Sequence, residues 1–315
     1  LKVAFQVKGK LAYALDGINI DIPKGKIVGI VGESGCGKSM TAMSIMGLIK
    51  NPGKIVGGSI DFCGTELTKL SVRDYAKIRG KDISMIFQEP MTSLNPVVKV
   101  GKQVMEAIIL HEKISKEEAK MRVIEIFNEV GIPEAEKRFN SYPHELSGGL
   151  RQRVMIGMAM ICKPKLLIAD EPTTALDVTI EAQILKLMKK LCESVGTSII
   201  MITHNMGVVA EICDYVYVMY AGRVVESTLT KTLFNETAHP YTNGLLKSIP
   251  TIGKKQDRLY TIKGNVPNIL NLPKGCRFVD RCDYAQDICF SSRPADEYIK
   301  DNHMVSCFLH KRIED

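Results

Sequence analysis

No run of about 18 uncharged apolar residues, the length that crosses a bilayer, occurs in this chain, so no segment is expected to span a membrane. The first residues, Leu1-Lys2-Val3-Ala4-Phe5, have neither the basic nor the apolar region of a secretory signal, which makes the cytosol the expected compartment. An initiating Met is also missing, so a few residues are expected upstream. No two cysteines form a C-x-x-C pair, which removes the tight turn that usually supplies two ligands of a zinc site. Strong charge of one sign is lacking too. The net +7 is spread along the chain and reads as a solvated basic surface, not a binding patch.

With 45% hydrophobic and 24% charged residues over 315 positions, the chain is globular, with room for about two domains. Its organising stretch is Gly32-Glu33-Ser34-Gly35-Cys36-Gly37-Lys38-Ser39, which fits G-x-x-x-x-G-K-[ST] at every fixed position. The apolar run Ile27–Val31 before it reads as a buried strand and Met40–Leu48 after it as a helix. Glycines at 32, 35 and 37 let backbone N–H groups turn toward phosphate oxygens, Lys38 adds a point charge, and Ser39 offers a hydroxyl to Mg²⁺. The start of the helix adds its positive dipole end.

Elsewhere, Ile18-Asn19-Ile20-Asp21-Ile22 alternates and predicts a half-buried strand, and Ser59–Cys63 predicts a short one. Phe5 and Tyr13 are the aromatic candidates for stacking on adenine, against an ordinary strand role for each. Ile83–Phe87 is a strand running into Gln88-Glu89-Pro90. From about residue 100 to 161 the pattern is helical. Val104, Ile108 and His111 share helical spacing, Ser115 with Glu118 opens a second helix through Val130, and Ser147-Gly148-Gly149 opens a third up to Ile161. Such a helix start is an anion site. Leu166–Asp170 is an apolar strand that ends in Asp170 and Glu171. The first is suited to hold Mg²⁺, the second to polarise an attacking water. Thr173–Asp177 is a turn, Ile180–Val195 an amphipathic helix stopped by Gly196, and Ser198–Thr203 a buried strand. His204 follows at the sheet edge where open α/β sheets bind ligands, and reads as a γ-phosphate contact.

Taken together, these residues resemble the ATP-binding subunits of ABC transporters over about the first 230 residues. In that resemblance Gly32–Ser39 is the Walker A loop, Gln88 the Q-loop, Ser147–Gly149 the signature, Leu166–Asp170 Walker B, Glu171 the catalytic glutamate, Ala175-Leu176-Asp177 the D-loop and His204 the switch histidine. Leu150 departs from the pattern, which commonly has Gln there. The last third, with Ala238-His239-Pro240-Tyr241-Thr242, Gly264-Asn265-Val266-Pro267 and Pro273-Lys274-Gly275-Cys276, is similar to the C-terminal extension of oligopeptide and dipeptide permease ATPases. That branch includes nickel importers, and Met91-Thr92-Ser93-Leu94-Asn95-Pro96 is similar to it too.

The implied fold is α/β, a P-loop NTPase cassette: a RecA-like core, an antiparallel β subdomain and a helical subdomain at about 100–161, over residues 1–230. A small loop-rich cysteine domain follows over 231–315, with few core-forming segments of its own. The implied activity is ATP hydrolysis driving peptide import at the cytoplasmic face of the membrane. ATP would lie between the Walker A loop of one subunit and the signature of another, contacted by Gly32, Ser34, Gly35, Cys36, Gly37, Lys38, Ser39, Met40 and Phe5. Mg²⁺ would be held by Ser39, Gln88 and Asp170, with Glu171, His204 and Gln88 around the attacking water. The implied partners are two membrane permeases, a second ATPase in a heterodimer and, indirectly, an extracytoplasmic peptide-binding protein. A soluble ABC ATPase on nucleic acid is the rival; it usually needs a coiled-coil insertion, a duplicated cassette or a nucleic-acid module, and none is apparent, so no nucleic-acid partner is expected. A non-hydrolysing subunit does not fit Lys38, Asp170, Glu171 and His204.

Of nine cysteines, Cys36, Cys63, Cys162, Cys192 and Cys213 are scattered and read as small buried apolar residues. Cys276, Cys282, Cys289 and Cys307, at spacings x5, x6 and x17, suit either tetrahedral Zn²⁺ or an iron–sulfur cluster. The resemblance implies a 4Fe-4S cluster of structural role. His303 and His310 are additional candidates there, expected to be exposed.

Overall fold

The computed structural model describes residues 1–7, 9–88, 93–174, 176–249 and 260–310. Its backbone packing divides into two units. The first contains Leu1–Asp21, Val28–Lys69 and Ile202–Asp315; the second contains Ile22–Ile27 and Leu70–Met201.

In the first unit, β1 (Lys2–Val7) and β2 (Lys10–Asp16) form an antiparallel hairpin that buries Val3, Ala4, Ala12 and Leu15. Strand β3 (Ile27–Val31) is buried at all five residues, as a strand covered on both faces requires, and leads through the glycine loop into the helix Lys38–Ile45. Strand β4 (Gly53–Gly57) pairs with the other side of β1, placing Phe5 opposite Gly53. A Cβ on Gly53 would lie 2.6 Å from the Phe5 ring, so the ring fills the space the glycine leaves. A small hairpin, β5 (Asp61–Phe62) and β6 (Thr65–Glu66), is all that forms where a strand over Ser59–Cys63 is predicted.

The alternating stretch at residues 18–22 is not a strand. Its polar groups are met singly instead: the N-terminal amine donates to the Ile18 carbonyl at 2.6 Å, and the Asp21 N–H donates to Tyr217 Oη at 3.0 Å. Alternation supplied the right faces, but no ladder partner runs beside it among the described residues.

The second unit holds β7 (Ile83–Ile86) and β8 (Leu166–Asp170) in parallel, Ile83 opposite Leu166, with β9 (Ser198–Thr203) on the other side of β8. The chain returns to the first unit within β9. The helices Val100–Ile109, Lys116–Glu129 and Gly148–Met160 pack on one another and bury Val104, Ile108, Val123, Phe127 and Ile156. Ser115 caps the second of them, its hydroxyl accepting from the Glu118 N–H at 3.1 Å. The first helix stops at Ile109, so His111 lies beyond it.

Back in the first unit, β10 (Tyr215–Tyr220) runs parallel to β3 and turns into β11 (Arg223–Leu229). The tail then extends this sheet. β12 (Glu297–Lys300) pairs with β13 (His303–Val305), and β13 pairs with β11, giving the order β12-β13-β11-β10-β3 in this unit. Phe278, Val279, Met304 and Val305 are buried, so the tail supplies more core than its loop-rich sequence predicts.

Candidate nucleotide site

Between β3 and its helix the chain turns on Gly32 (φ 152°), Gly35 (φ 77°) and Gly37 (φ 108°), conformations that L side chains rarely adopt. Space enforces the same choice. A Cβ on Gly32 would lie 2.2 Å from the Met219 carbonyl oxygen, and one on Gly37 would lie 2.8 Å from Leu15. The helix opens at Gly37 with no side-chain cap, leaving first-turn N–H groups for an external acceptor. Lys38 is buried, and its Nζ donates to the carbonyls of Gly32 at 2.7 Å and Glu33 at 3.1 Å. The ammonium is thus curled inside the loop. Ser39 and Met40 are half-buried in the first turn, and Ser34 is exposed. Cys36 is fully buried and burial pushes its thiol up, so it serves as packing under the loop. Phosphate oxygens and a magnesium ion at Ser39 fit this cradle of glycine, uncapped helix and lysine.

The loop is tied from outside as well. The Glu33 N–H donates to Tyr241 Oη at 2.9 Å, the Gly222 N–H donates to the Cys36 carbonyl at 2.8 Å, and Arg281 makes paired hydrogen bonds to the Glu33 carboxylate at 2.6 and 3.0 Å. In the same unit, His204 is exposed just past β9, ahead of the helix Met206–Ile212 that Asn205 caps. Phe5 and Tyr13 are both half-buried strand residues, Phe5 with its ring over Gly53.

In the second unit, Asp170 ends β8 and is 3% exposed. Glu171 follows in the left-handed region (φ 50°), an unusual conformation for a side-chain-bearing residue and one that occurs at functional turns. Gln88 Nε2 and Thr174 Oγ1 both donate to Glu171 Oε2 at 3.1 Å. Gln152 is buried and donates to the Pro172 carbonyl, fixing the turn from below. Ser147 caps the helix Gly148–Met160, accepting from the Leu150 N–H at 3.4 Å; Ser147 and Gly148 are exposed, and Gly149 lies against Ile180. Asp177 caps the helix Val178–Val195, which ends at Gly196 as predicted. Glu89, Pro90, Met91, Thr92 and Ala175 lie outside the described residues. Sequence reading missed Thr174, Gln152, Tyr241 and Arg281. Thr174 alone carried a local signal, three positions after Glu171.

The expected iron–sulfur cluster, and its zinc alternative, are corrected. Cys276, Cys282, Cys289 and Cys307 line one cavity with Phe278 and Leu309, but among the described residues no group of three or more His, Cys, Asp or Glu is placed to hold a metal ion. Burial pushes the thiols of Cys276 and Cys282 up and that of Cys307 to about 11. The two histidines are engaged elsewhere. His303, expected exposed, is 1% exposed with Nε2 at 2.9 Å from Glu226, and His310 Nε2 lies 2.8 Å from the Ala238 carbonyl oxygen.

Residues 15–174 match the family described as ABC transporter, and residues 225–289 match the one described as oligopeptide/dipeptide transporter, C-terminal region. The oligopeptide transport ATP-binding protein AppD of Bacillus subtilis is 53% identical over 99% of this chain and 95% of its own length. OppD of Escherichia coli is 49% identical over 100% of this chain and 92% of its own. Among solved structures, the dimeric MJ0796 bacterial ABC transporter cassette is similar with a TM-score of 0.65 at 29% identity, over 73% of this chain and 96% of that one. A post-hydrolysis dimer of the same cassette bound to ADP and Pi is similar to the same extent, at 28% identity.

Proposed function

This chain belongs to the ABC transporter family and carries its oligopeptide/dipeptide transporter C-terminal region, and from that premise we propose that it is the ATP-hydrolysing subunit of an importer of di- and oligopeptides. The observation that carries the reading is the phosphate loop, with positive-φ glycines, an uncapped helix start and a buried lysine in one cradle. The relatives named for oligopeptide and dipeptide transport favour peptides over nickel or nucleic acid.

The residue roles follow from their chemistry. Loop N–H groups and Lys38 would bind the phosphates, Ser39, Gln88 and Asp170 are the candidate ligands that would hold Mg²⁺, and Phe5 is the adenine-stacking candidate. Bound Mg²⁺ supplies charge that offsets the phosphate oxygens as the terminal P–O bond breaks. Glu171 accepts the proton of the attacking water, with Gln88 and Thr174 steering its carboxylate by their hydrogen bonds. His204 contacts the terminal phosphate. Ser147, Gly148 and Gly149 present a helix start to the nucleotide of a partner subunit. Nucleotide binding then closes the pair and loss of the terminal phosphate reopens it.

No described helix is long and apolar enough to cross a membrane, and the relatives are named oligopeptide transport ATP-binding proteins. We place the chain on the cytoplasmic face, with a cassette over 1–230 and an extension over 231–315, bound to two permeases and a second, homologous ATPase. Extraction from native membranes in mild detergent tests this. Two multi-spanning permeases and a second ATPase should co-purify; recovery only from the soluble fraction, alone or with nucleic acid, overturns the transport reading.

A further inference from the structure

Glu33 is a difficult residue for a phosphate loop, because a carboxylate at its second position repels the anion the loop is built to hold. The chain answers it from 248 positions away. Arg281 Nη1 donates to Glu33 Oε2 at 2.6 Å and Nη2 to Oε1 at 3.0 Å, a two-pronged match that lysine cannot make. The guanidinium is itself held in place. Its Nε donates to the Lys263 carbonyl at 2.7 Å, and the remaining N–H groups reach Tyr220 Oη at 3.3 Å and the Ile262 carbonyl at 3.4 Å. All donors are engaged, and only 4% of the side chain is exposed. Tyr241, from the same C-terminal part of the chain, takes the Glu33 N–H.

We propose that Arg281 is a positioning residue for nucleotide binding: it neutralises Glu33 and fixes the mouth of the phosphate loop, so that the C-terminal region braces the site where phosphates bind. This rests on the phosphate-loop reading above. A bond that only stabilised the fold would change the unfolding free energy and leave nucleotide affinity alone, whereas this role changes the affinity. Removing the arginine exposes the Glu33 charge to phosphate, and removing that charge as well relieves the defect.

The test is titration of a fluorescent ATP analogue on the purified full chain, with ATP turnover in the complete transporter. In Arg281→Ala, affinity should fall and KM for ATP rise about tenfold with kcat within about twofold, and the loss should shrink as salt is raised. Adding Glu33→Gln should bring affinity back to within about threefold of the original. Equal losses in the single and double variants, or unchanged affinity in Arg281→Ala, overturn the proposal. Should thermal unfolding show that Arg281→Ala does not fold, Arg281→Lys with and without Glu33→Gln decides by the same pattern, from a smaller initial loss. Lys38→Ala separates the two readings. If it binds the analogue as tightly as the original chain, the phosphate loop itself is misassigned; if it loses binding while Arg281→Ala keeps it, only the brace falls.

Discussion

At the scale of single residues, the informative group is Glu171. Its left-handed backbone and the two donors on Oε2 hold one carboxylate oxygen in a fixed direction, which suits a base that must meet one water. Glu171→Gln keeps the shape and removes the basicity. Phosphate release should slow by about 10²-fold or more, with binding of the ATP analogue retained. Turnover at the original rate would take Glu171 out of this role. Gly32 is a residue-scale test of the cradle. In Gly32→Ala the new methyl meets the Met219 carbonyl at 2.2 Å, so the loop must shift and analogue binding should be lost in a chain that still folds, checked by circular dichroism alongside the titration.

At the scale of elements, the helical part of the second unit offers a clean stability measurement. Ser115→Ala removes the acceptor for the Glu118 N–H and should cost about 1 kcal/mol, read as a lower urea midpoint with analogue affinity unchanged. This helix is legible in the sequence because its cap, Ser115 with Glu118, and the Gly131-Ile132-Pro133 that stops it lie within one stretch. The same is true of β3, its loop and the helix after it, and of β8 with its terminal acids, where function and local structure use consecutive residues. Residues 18–22 show the limit of that logic: alternation sets which faces are apolar, but a strand exists only where a neighbour offers a ladder. The tail shows the converse. His303–Val305 is too short to show a period, yet it is buried because β11 accepts it as a partner. The four cysteines show the same limit, since spacing counts candidate ligands, and whether they come together as a group that holds a metal is decided by tertiary packing. Arg281 was invisible, because nothing local to position 281 refers to position 33.

At the scale of the whole molecule, folding carries a pH dependence written by His239. It is buried beneath Phe278, its Nδ1 accepts from the Tyr241 N–H at 3.0 Å, and Glu226 accepts from its backbone N–H at 2.9 Å. Burial, with a smaller contribution from His310, lowers its pKa from 6.5 to about 3. The unfolded chain therefore takes up a proton that the folded chain refuses. The contribution is fully present above pH 6.5 and is lost as pH falls toward 3, at up to about 1.4 kcal/mol per pH unit. Thermal unfolding of the original chain and of His239→Asn across this window should diverge, the variant having the shallower slope while its amide keeps the helix capped. Parallel curves would assign the acid sensitivity to other groups.

The ties from the tail also set an order in time. Arg277 pairs with Asp16 across 261 positions and Arg281 with Glu33 across 248, so Asp16 and the phosphate loop lack these partners while most of the chain is still being synthesised. A ribosome that has already released the phosphate loop has not yet made the residues that brace it. Nascent or prematurely ended chains should therefore hold nucleotide poorly, and a cell would be spared fragments that consume ATP before they can be assembled into a transporter.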